Sequence, residues 1–454
     1  MLRIVLGVLV LLQVSGCVSA LPKAQQGYEG SYAKYPSGLR LVVYSRGSER
    51  HSSLHLSYRA GAVDEPQGQE GIGQLALSLS QLARTEGPES PPLKERFAAV
   101  GGAFQAVTGY DVTELWAQVP ALQLVRVLEL EAQRMRDPLA HVTEAEFLAE
   151  RERLAQVMGL VQAAPAARDL LQREVLADHP YGRPLWGTPA SVRALSFEAV
   201  RAWARAHYVP ERAVLVVTGG LPSAEVSEAV RAAFGPLAVG GHTEPHERAP
   251  APLPEAGAQP LVVKRAAVRA PHLWMVWRAP GLSAGKNVEA QAMVSMLQNE
   301  VIPFLVPAVP GSERRHMAAG AWTMDGTTLI YLRARLQHAG QVDAVRAVVE
   351  ERLRFRWGNM VGQGTADQVR ERVLALARKE AHALPADAVA RYLRVTGSPD
   401  FPGAWPAQVQ QTPLADIRAY AQRYLRAKQA RSFLLIPGPD AVEAPPALAD
   451  LATP

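Results

Sequence analysis

The stretch Glu198-Ala199-Val200-Arg201-Ala202-Trp203-Ala204 predicts an amphipathic helix, and the apolar run Ala213-Val214-Leu215-Val216-Val217 after it predicts a buried strand. The same pair returns as Ala415-Asp416-Ile417-Arg418-Ala419-Tyr420-Ala421 and Ser432-Phe433-Leu434-Leu435-Ile436, and the two helical copies begin 217 residues apart. A module that recurs at such a distance indicates a duplicated domain. A chance match between two ordinary amphipathic helices is the alternative.

The segments around these copies favour an α+β fold. Residues 38–44 and 53–58 are β-like runs, residues 103–110 and 113–119 alternate like a hairpin, and residues 144–162 fit a long amphipathic helix. Strand pairs are mixed with long helices rather than alternating one for one, which argues against a doubly wound sheet. The 454 residues, 48% of them apolar, are enough for two domains with sizeable cores.

A proline- and glycine-rich stretch at residues 240–254 interrupts the periodic sequence and reads as an interdomain linker. We therefore expect a domain over residues 36–239, a linker over 240–257, a second domain of the same kind over 258–440 and a tail over 441–454. The net charge is +5, but no Lys/Arg block is dense enough to indicate a nucleic-acid partner.

The N-terminus resembles a bacterial lipoprotein signal peptide. A short basic start precedes an apolar run from Ile4 to Leu12 that is too short to span a bilayer, and Val14-Ser15-Gly16-Cys17 ends it. The resemblance implies a signal peptide over 1–16, lipid chains on Cys17, which is the only cysteine, and a lipidated tether over 17–35. Val18 is no acidic retention signal, which indicates the periplasmic side of the outer membrane. A plain signal peptide with an incidental cysteine is the alternative.

Three segments resemble the insulinase (pitrilysin) metallopeptidases. They are the approach and helix from Tyr58 to Leu79, the stretch His179-Pro180-Tyr181-Gly182-Arg183-Pro184-Leu185-Trp186-Gly187-Thr188, and Tyr208-Val209-Pro210 after the first repeat. The chain resembles the two-domain bacterial and mitochondrial processing-peptidase branch of the family. This resemblance implies two homologous insulinase-like α/β sandwich domains, a duplicated half-barrel, with two such halves enclosing a central chamber.

The resemblance also locates a zinc site whose residues have changed. In the family motif H-x-x-E-H, two histidines bind zinc and the glutamate activates water. The corresponding residues here are Gln74, Leu77 and Ser78, and the distal carboxylate position falls on Val157 or its neighbour Gln156. We expect neither a zinc cofactor nor hydrolysis at this site, because these side chains supply neither the ligands nor the base.

Other candidate ligands are weaker. His51 and His55 lie four residues apart without a third ligand, and His242 and His246 lie in the linker, so solvent-exposed histidine is the expectation for all four. In the family's second half an Arg and a Tyr seven residues apart contact peptide. Arg315 and Trp322 keep that spacing without the hydroxyl, and a surface Arg with a core Trp explains the same residues.

These observations favour a lipid-anchored insulinase-family homologue without peptidase activity. The first hypothesis is a non-catalytic subunit that holds peptides and pairs with a catalytic insulinase-like paralogue. The second is a stand-alone envelope scaffold or peptide-binding lipoprotein, and the third is a peptidase with a relocated metal site. A neighbouring gene with an intact H-x-x-E-H separates the first two, and elemental analysis tests the third.

Overall fold

The computed structural model describes residues 18–21, 27–163, 165–237, 260–266, 268–358 and 363–438. The expected signal peptide at 1–16, Cys17, the linker at 240–257 with His242 and His246, and the tail at 441–454 lie outside the described residues.

The first domain is built on a seven-stranded sheet of spatial order β1-β2-β3-β7-β4-β6-β5. Its strands are β1 (Val18–Leu21), β2 (Glu29–Lys34), β3 (Arg40–Ser45), β4 (His51–Tyr58), β5 (Ala103–Thr108), β6 (Thr113–Pro120) and β7 (Ala213–Gly219). Its helices are α1 (Ile72–Ser80), α2 (Leu93–Val100), α3 (Leu124–Arg136), α4 (Glu144–Ala163), α5 (Ala167–Val175), α6 (Pro189–Ala194), α7 (Phe197–His207) and α8 (Ser223–Phe234).

The second domain has a five-stranded sheet of order β10-β11-β9-β12-β8. Its strands are β8 (Val262–Ala266), β9 (His272–Pro280), β10 (Met317–Thr323), β11 (Thr327–Arg335) and β12 (Arg431–Pro437). Its helices are α9 (Asn287–Met296), α10 (Ile302–Ala308), α11 (Val342–Gly358), α12 (Gln363–Ala383), α13 (Ala386–Thr396), α14 (Phe401–Gln411) and α15 (Leu414–Tyr424), and a π-helical turn over Leu297–Val301 joins α9 to α10. The predicted α+β class with two similar domains is confirmed.

The two domains share a hydrogen-bonded module where a strand meets a hairpin. The amides of Ala62 and Val63 each donate over 3.0 Å to the β5–β6 turn, at Gly109 and Tyr110. In the second domain, the amides of Leu282 and Ser283 each donate over 3.0 Å to the β10–β11 turn, at Met324 and Asp325. A glycine precedes each pair, and a Cβ there would come within 2.3 Å of the opposing turn's backbone, at Gly61 as at Gly281. The module is evidence for the duplication that does not depend on the sequence repeat.

Alternate residues of each sheet pack into two different cores, and each core contains side chains from both domains. In the first sheet, Leu41 and Val43 belong to one core, whereas Val42 and Tyr44 pack with the second domain's helices. In the second sheet, Trp274 and Phe433 join the first domain's core. Side chains alternate across a strand, so each sheet is buried on both faces and the domains interlock.

A buried polar network also joins the domains at their hairpin turns. The Tyr181 hydroxyl donates to Asp111 Oδ1 over 2.6 Å, and Asp111 Oδ2 accepts from the Asp325 amide over 3.0 Å. The Gly326 amide donates to the Tyr181 hydroxyl over 3.0 Å, and Asp325 also pairs with Arg394. Tyr181, from the stretch His179–Thr188, therefore fixes one domain against the other.

The expected tether over 17–35 is wrong for its described part. Strand β1 pairs with β2, β2 pairs with β3, and Ala33 and Tyr35 are buried. The segment is short and polar, so its sequence pattern does not predict a strand. Burial between neighbouring elements stabilises the strand instead.

Candidate functional site

Helix α1 begins at the buried carboxyl group of Glu65. Glu65 Oε2 accepts from the Gly71 amide over 2.8 Å, and Oε1 accepts from the Gly73 amide over 2.9 Å. These amides belong to the first turn, where a helix leaves its N–H groups without internal partners. Burial raises the pKa of Glu65 to about 8, although the two backbone donors act in the opposite direction.

The side chains at the expected zinc position on α1 and α4 are held by structural contacts. Gln74 Oε1 accepts from the Thr108 amide over 3.2 Å, Leu77 is 1% exposed, and Val157 packs half-buried against the core. Ser78 is half-buried. One engaged amide oxygen, one hydroxyl and two alkyl groups do not match the imidazole and carboxylate donors that zinc takes in proteins, so these residues do not fit the family's metal.

The carboxylates closest in sequence to the distal position are engaged with arginines. Glu150 pairs with Arg153, and Glu152 pairs with Arg193 over 2.8 Å. The hydrogen bond from Arg193 lowers the pKa of Glu152 to about 2. Gln156 is exposed and donates to Glu152 over 3.3 Å. These contacts hold both carboxylates in pairs with basic side chains.

The expectation that the histidines are exposed to solvent fails at one of the described positions, His55. His51 is exposed as expected, but His55 is fully buried, stacks on Trp116 with ring centroids 5.3 Å apart, and has Nε2 3.2 Å from Glu114. The expectation of a solvent-exposed His55 is wrong because β4 lies inside the sheet between β6 and β7. Within the described ranges, no three His, Cys, Asp or Glu residues group as a metal site.

The free edge of β5 is closed at Thr108. The Gly109 amide donates to the Val112 carbonyl over 2.7 Å, so the next pair along the hairpin, Thr108 with Thr113, is not hydrogen-bonded and Thr108 directs its backbone outward. Gln74 takes the Thr108 N–H, and Trp186 Nε1 donates to the Thr108 carbonyl over 2.8 Å. Both outward groups are therefore bonded to side chains.

The equivalent position in the second domain is Thr323, at the end of edge strand β10. The Met324 amide donates to Thr327 over 2.9 Å, so by the same alternation Thr323, Ala321 and Ala319 direct their backbone groups outward. Gln298 occupies the Ala319 carbonyl over 2.9 Å. Thr323 is exposed, and in the described part of the chain no side chain hydrogen-bonds to its backbone.

Beside this edge lies a groove of about 640 Å³ between α9, α12 and β10. A polar stripe lines the wall formed by α9 and the π-helical turn that follows it, with members four residues apart: Asn287, Gln291, Ser295 and Asn299. Gln291 Oε1 and Ser295 Oγ have no partner among the described residues, and Leu376 on α12 is 47% exposed. Our sequence reasoning missed this groove, although the four-residue spacing of polar side chains places them on one face of a helix.

Arg315 and Trp322 have different surroundings. Arg315 is exposed and pairs with Glu313 over 2.9 Å. Trp322 is 8% exposed and packs with Trp274 and Tyr331, while the Arg168 guanidinium lies 5.5 Å from its ring. The two side chains do not converge on one site, and their contact with peptide stays a prediction. No helix in the described part of the chain is long and apolar enough to cross a membrane.

Comparisons with known proteins agree with this fold. Residues 41–189 match the insulinase family (peptidase family M16), and residues 194–394 match the family described as peptidase M16 inactive domain. An uncharacterized zinc protease of Mycobacterium leprae is 26% identical over 275 residues, 58% of this chain and 61% of that protein. One of Streptomyces coelicolor is 26% identical over 201 residues, 44% and 43% of the two chains. The match thus spans about half the length of these relatives.

Three solved structures share the fold. Pitrilysin has a TM-score of 0.77 at 13% identity, over 93% of this chain and 47% of its own. A peptidase M16 inactive domain from Pseudomonas fluorescens has a TM-score of 0.72 at 13% identity, over 92% and 99% of the two chains. A chain of complex III2 from Candida albicans has a TM-score of 0.70 at 13% identity, over 89% and 95%. At these identities the likeness concerns the fold alone.

Proposed function

This chain belongs to the insulinase family of peptidases (M16), and we propose that it holds peptides without hydrolysing them, as the non-catalytic subunit of a heteromeric zinc peptidase. The observation that carries the proposal is the contrast between two equivalent strand edges, β5 and β10. In the first domain, Gln74, Leu77, Ser78 and Val157 offer neither metal ligands nor a general base, whereas in the second domain an exposed strand edge lies beside a polar-lined groove.

An extended peptide is the occupant that fits the groove beside β10. Ala321 and Thr323 present outward backbone groups that an added strand can pair with, and alternate peptide side chains would then meet the wall of α9. Amide and hydroxyl groups on that wall suit backbone or polar side chains, while Val294 and Leu376 suit apolar ones. A volume of about 640 Å³ is within the usual range for a ligand site.

The proposed partner is a zinc-bearing insulinase-like paralogue. The chain matches 47% of pitrilysin, so it has the extent of one half of that protein, and a chain of similar fold occurs in complex III2. A half without hydrolytic groups can contribute binding surface while the partner supplies the metal. We propose that lipid on Cys17 anchors the chain to the outer membrane, facing the periplasm.

Metal analysis and peptide cleavage test the loss of catalysis. The purified mature protein should contain no stoichiometric zinc and should leave peptides intact. Chelator-sensitive hydrolysis by material free of other proteases would overturn this and would favour a relocated metal site.

Isolation from the native membrane tests the partnership. We expect an insulinase-like protein with an intact H-x-x-E-H to co-purify, and Arg315→Ala to lower that complex's peptide turnover more than its assembly if Arg315 faces substrate. If only the single chain is recovered and a zinc-bearing homologue encoded nearby has no effect on it, the stand-alone peptide-binding lipoprotein becomes the better reading.

A further inference from the structure

We propose that Gln74 and Trp186 act as a plug on the free edge of β5 at Thr108, which blocks peptide backbone from the hairpin end of that edge, whereas the equivalent end of β10 stays available for pairing. The inference rests on the proposed function in one respect, namely that the occupant is an extended peptide. Beyond the proposed function, two side chains determine which of the two equivalent edges, β5 or β10, can pair with peptide backbone.

The plug acts on both hydrogen-bonding groups of one residue. Strand addition requires outward N–H and C=O groups that are free to exchange bonds with the incoming chain. At Thr108 the N–H is bonded to Gln74 over 3.2 Å and the C=O to Trp186 over 2.8 Å. Thr108 is also 0% exposed, so an incoming strand would have to displace both side chains before it could pair there.

Rigid elements hold the two side chains in place. Gln74 stands in the first turn of α1, whose start is fixed by the carboxylate of Glu65 and by the Tyr208 hydroxyl, which donates to the Gly73 carbonyl over 3.1 Å. Trp186 follows the turn containing Arg183, and Arg183 donates to the Glu65 carbonyl over 3.0 Å. Helix, turn and strand edge are therefore tied through Glu65 into one unit.

The second domain shows the same edge without a plug. Thr323 occupies the hairpin position of Thr108 and is exposed, and the nearest side-chain bond to the β10 edge falls two outward residues earlier, at Ala319. Since the hairpin geometry is common to both domains, side chains rather than the backbone make the difference.

The test compares the full-length protein with variants that remove the hydrogen bonds of the plug but keep most of its apolar bulk. Gln74→Met deletes the acceptor, Trp186→Phe deletes the donor, and Ser78→Ala is the matched control on the same helix, since Ser78 makes no hydrogen bond to β5 in the described structure. The probe is an extended twelve-residue peptide with blocked ends and a photoreactive residue, located by mass spectrometry, with binding stoichiometry from calorimetry. Hydrogen exchange at the Thr108 amide reports directly on the edge.

In the wild type and in Ser78→Ala we expect cross-links near Ala321 and along α9 and α12, with one peptide bound. In Gln74→Met/Trp186→Phe we expect additional cross-links at residues 104–108, a second bound peptide, and at least tenfold faster exchange at Thr108. Wild-type cross-links at β5 as frequent as those of the double variant would overturn the plug.

Failure of the plug is separable from failure of the proposed function. Ala321→Pro removes an outward N–H from an edge strand, where proline is tolerated, and should abolish wild-type binding. If the wild type binds nothing but the double variant binds peptide at β5, the plug stands and the proposed function falls. If the wild type binds at β10 and the folded double variant gains no site, the plug falls and the proposed function stands.

Discussion

Thr108 and Thr323 end equivalent edge strands in the two domains, yet one is sealed and the other faces a groove. Both hairpins make the same hydrogen bonds to a glycine-led turn, at Gly61 and at Gly281. The two domains thus share one backbone arrangement, while the side chains on the neighbouring helix and turn determine what each edge can bind. In the first domain, a residue that stands where the family has a zinc ligand now bonds the strand.

The largest effect that we expect is a pH dependence of stability, which comes from Glu65 at the start of helix α1 beside β5. Burial raises the pKa of Glu65 to about 8, above its ordinary value of 4.5. From about pH 4.5 to 8 the unfolded chain therefore gives up a proton that the folded chain keeps, and stability falls as pH rises. Between pH 5 and 8 the loss is on the order of 4 kcal/mol at most.

Denaturation from pH 5 to 8 measures this slope, and Glu65→Gln should flatten it. Helix α9 has no side-chain N-cap bond in the described structure, so hydrogen exchange in its first turn should not follow the same slope. A wild-type stability that rises with pH across this window would contradict the assignment of the pKa to burial.

The duplicated module itself can be broken in either domain. Gly61→Ala and Gly281→Ala each place a Cβ about 2.3 Å from the opposing turn, and a loss of roughly 3 kcal/mol is expected for each from overpacking. Gly47→Ala, which meets open space, is the matched control and should change the free energy of unfolding little. Very unequal losses at Gly61 and Gly281 would show that the module is not energetically equivalent in the two domains.

Restoring the family's motif tests whether missing ligands are the sole reason for the expected lack of zinc binding in the first domain. The variant Gln74→His/Leu77→Glu/Ser78→His should bind zinc weakly at best, because catalytic zinc usually takes three protein ligands and the distal carboxylate is missing. Adding Val157→Glu should tighten binding at least tenfold, measured by calorimetry. Tight binding by the triple variant alone would place the third ligand elsewhere.

Cys17→Ser should have the smallest effect on the difference between the edges at Thr108 and Thr323, since Cys17 lies before the first described strand. We expect release from the membrane with the melting temperature and peptide binding unchanged, because lipid chains supply the anchor. A variant that still sediments with membranes after a salt wash would indicate a second anchor or a wrong lipoprotein assignment.

Local patterns predicted much of the fold. The repeat around Trp203 and Tyr420, the hairpin after Ala103 and the long helix α4 all follow from periodicity and composition. Strand β2 was not predicted, because it owes its stability to neighbours on both sides rather than to its own polar sequence. The burial of His55 was missed for a related reason, since its position inside the sheet is set by β7, more than 150 residues away.

The candidate site was predictable in identity but not in role. The resemblance located Gln74, Leu77 and Ser78 and indicated that zinc chemistry is missing. That Gln74 bonds the edge at Thr108 depends on a contact across 34 residues, and Trp186 reaches the same residue across 78. A single helix pattern carries no information about such partners, whereas the polar stripe on α9 could have been read from spacing alone.

The interlocked cores predict that the two domains of this chain would complement each other as separate fragments. Each sheet contributes one face to each core, so either domain expressed alone would expose a full layer of apolar side chains to water. A chain cut once between residues 240 and 257 should instead remain a single particle, held by complementary surfaces and by the hydrogen bonds that join Asp111 and Tyr181 to the amides of Asp325 and Gly326, rather than by covalent continuity. The same reciprocity opposes a hinge motion between the two domains, because separating them would expose one apolar face of each sheet to water.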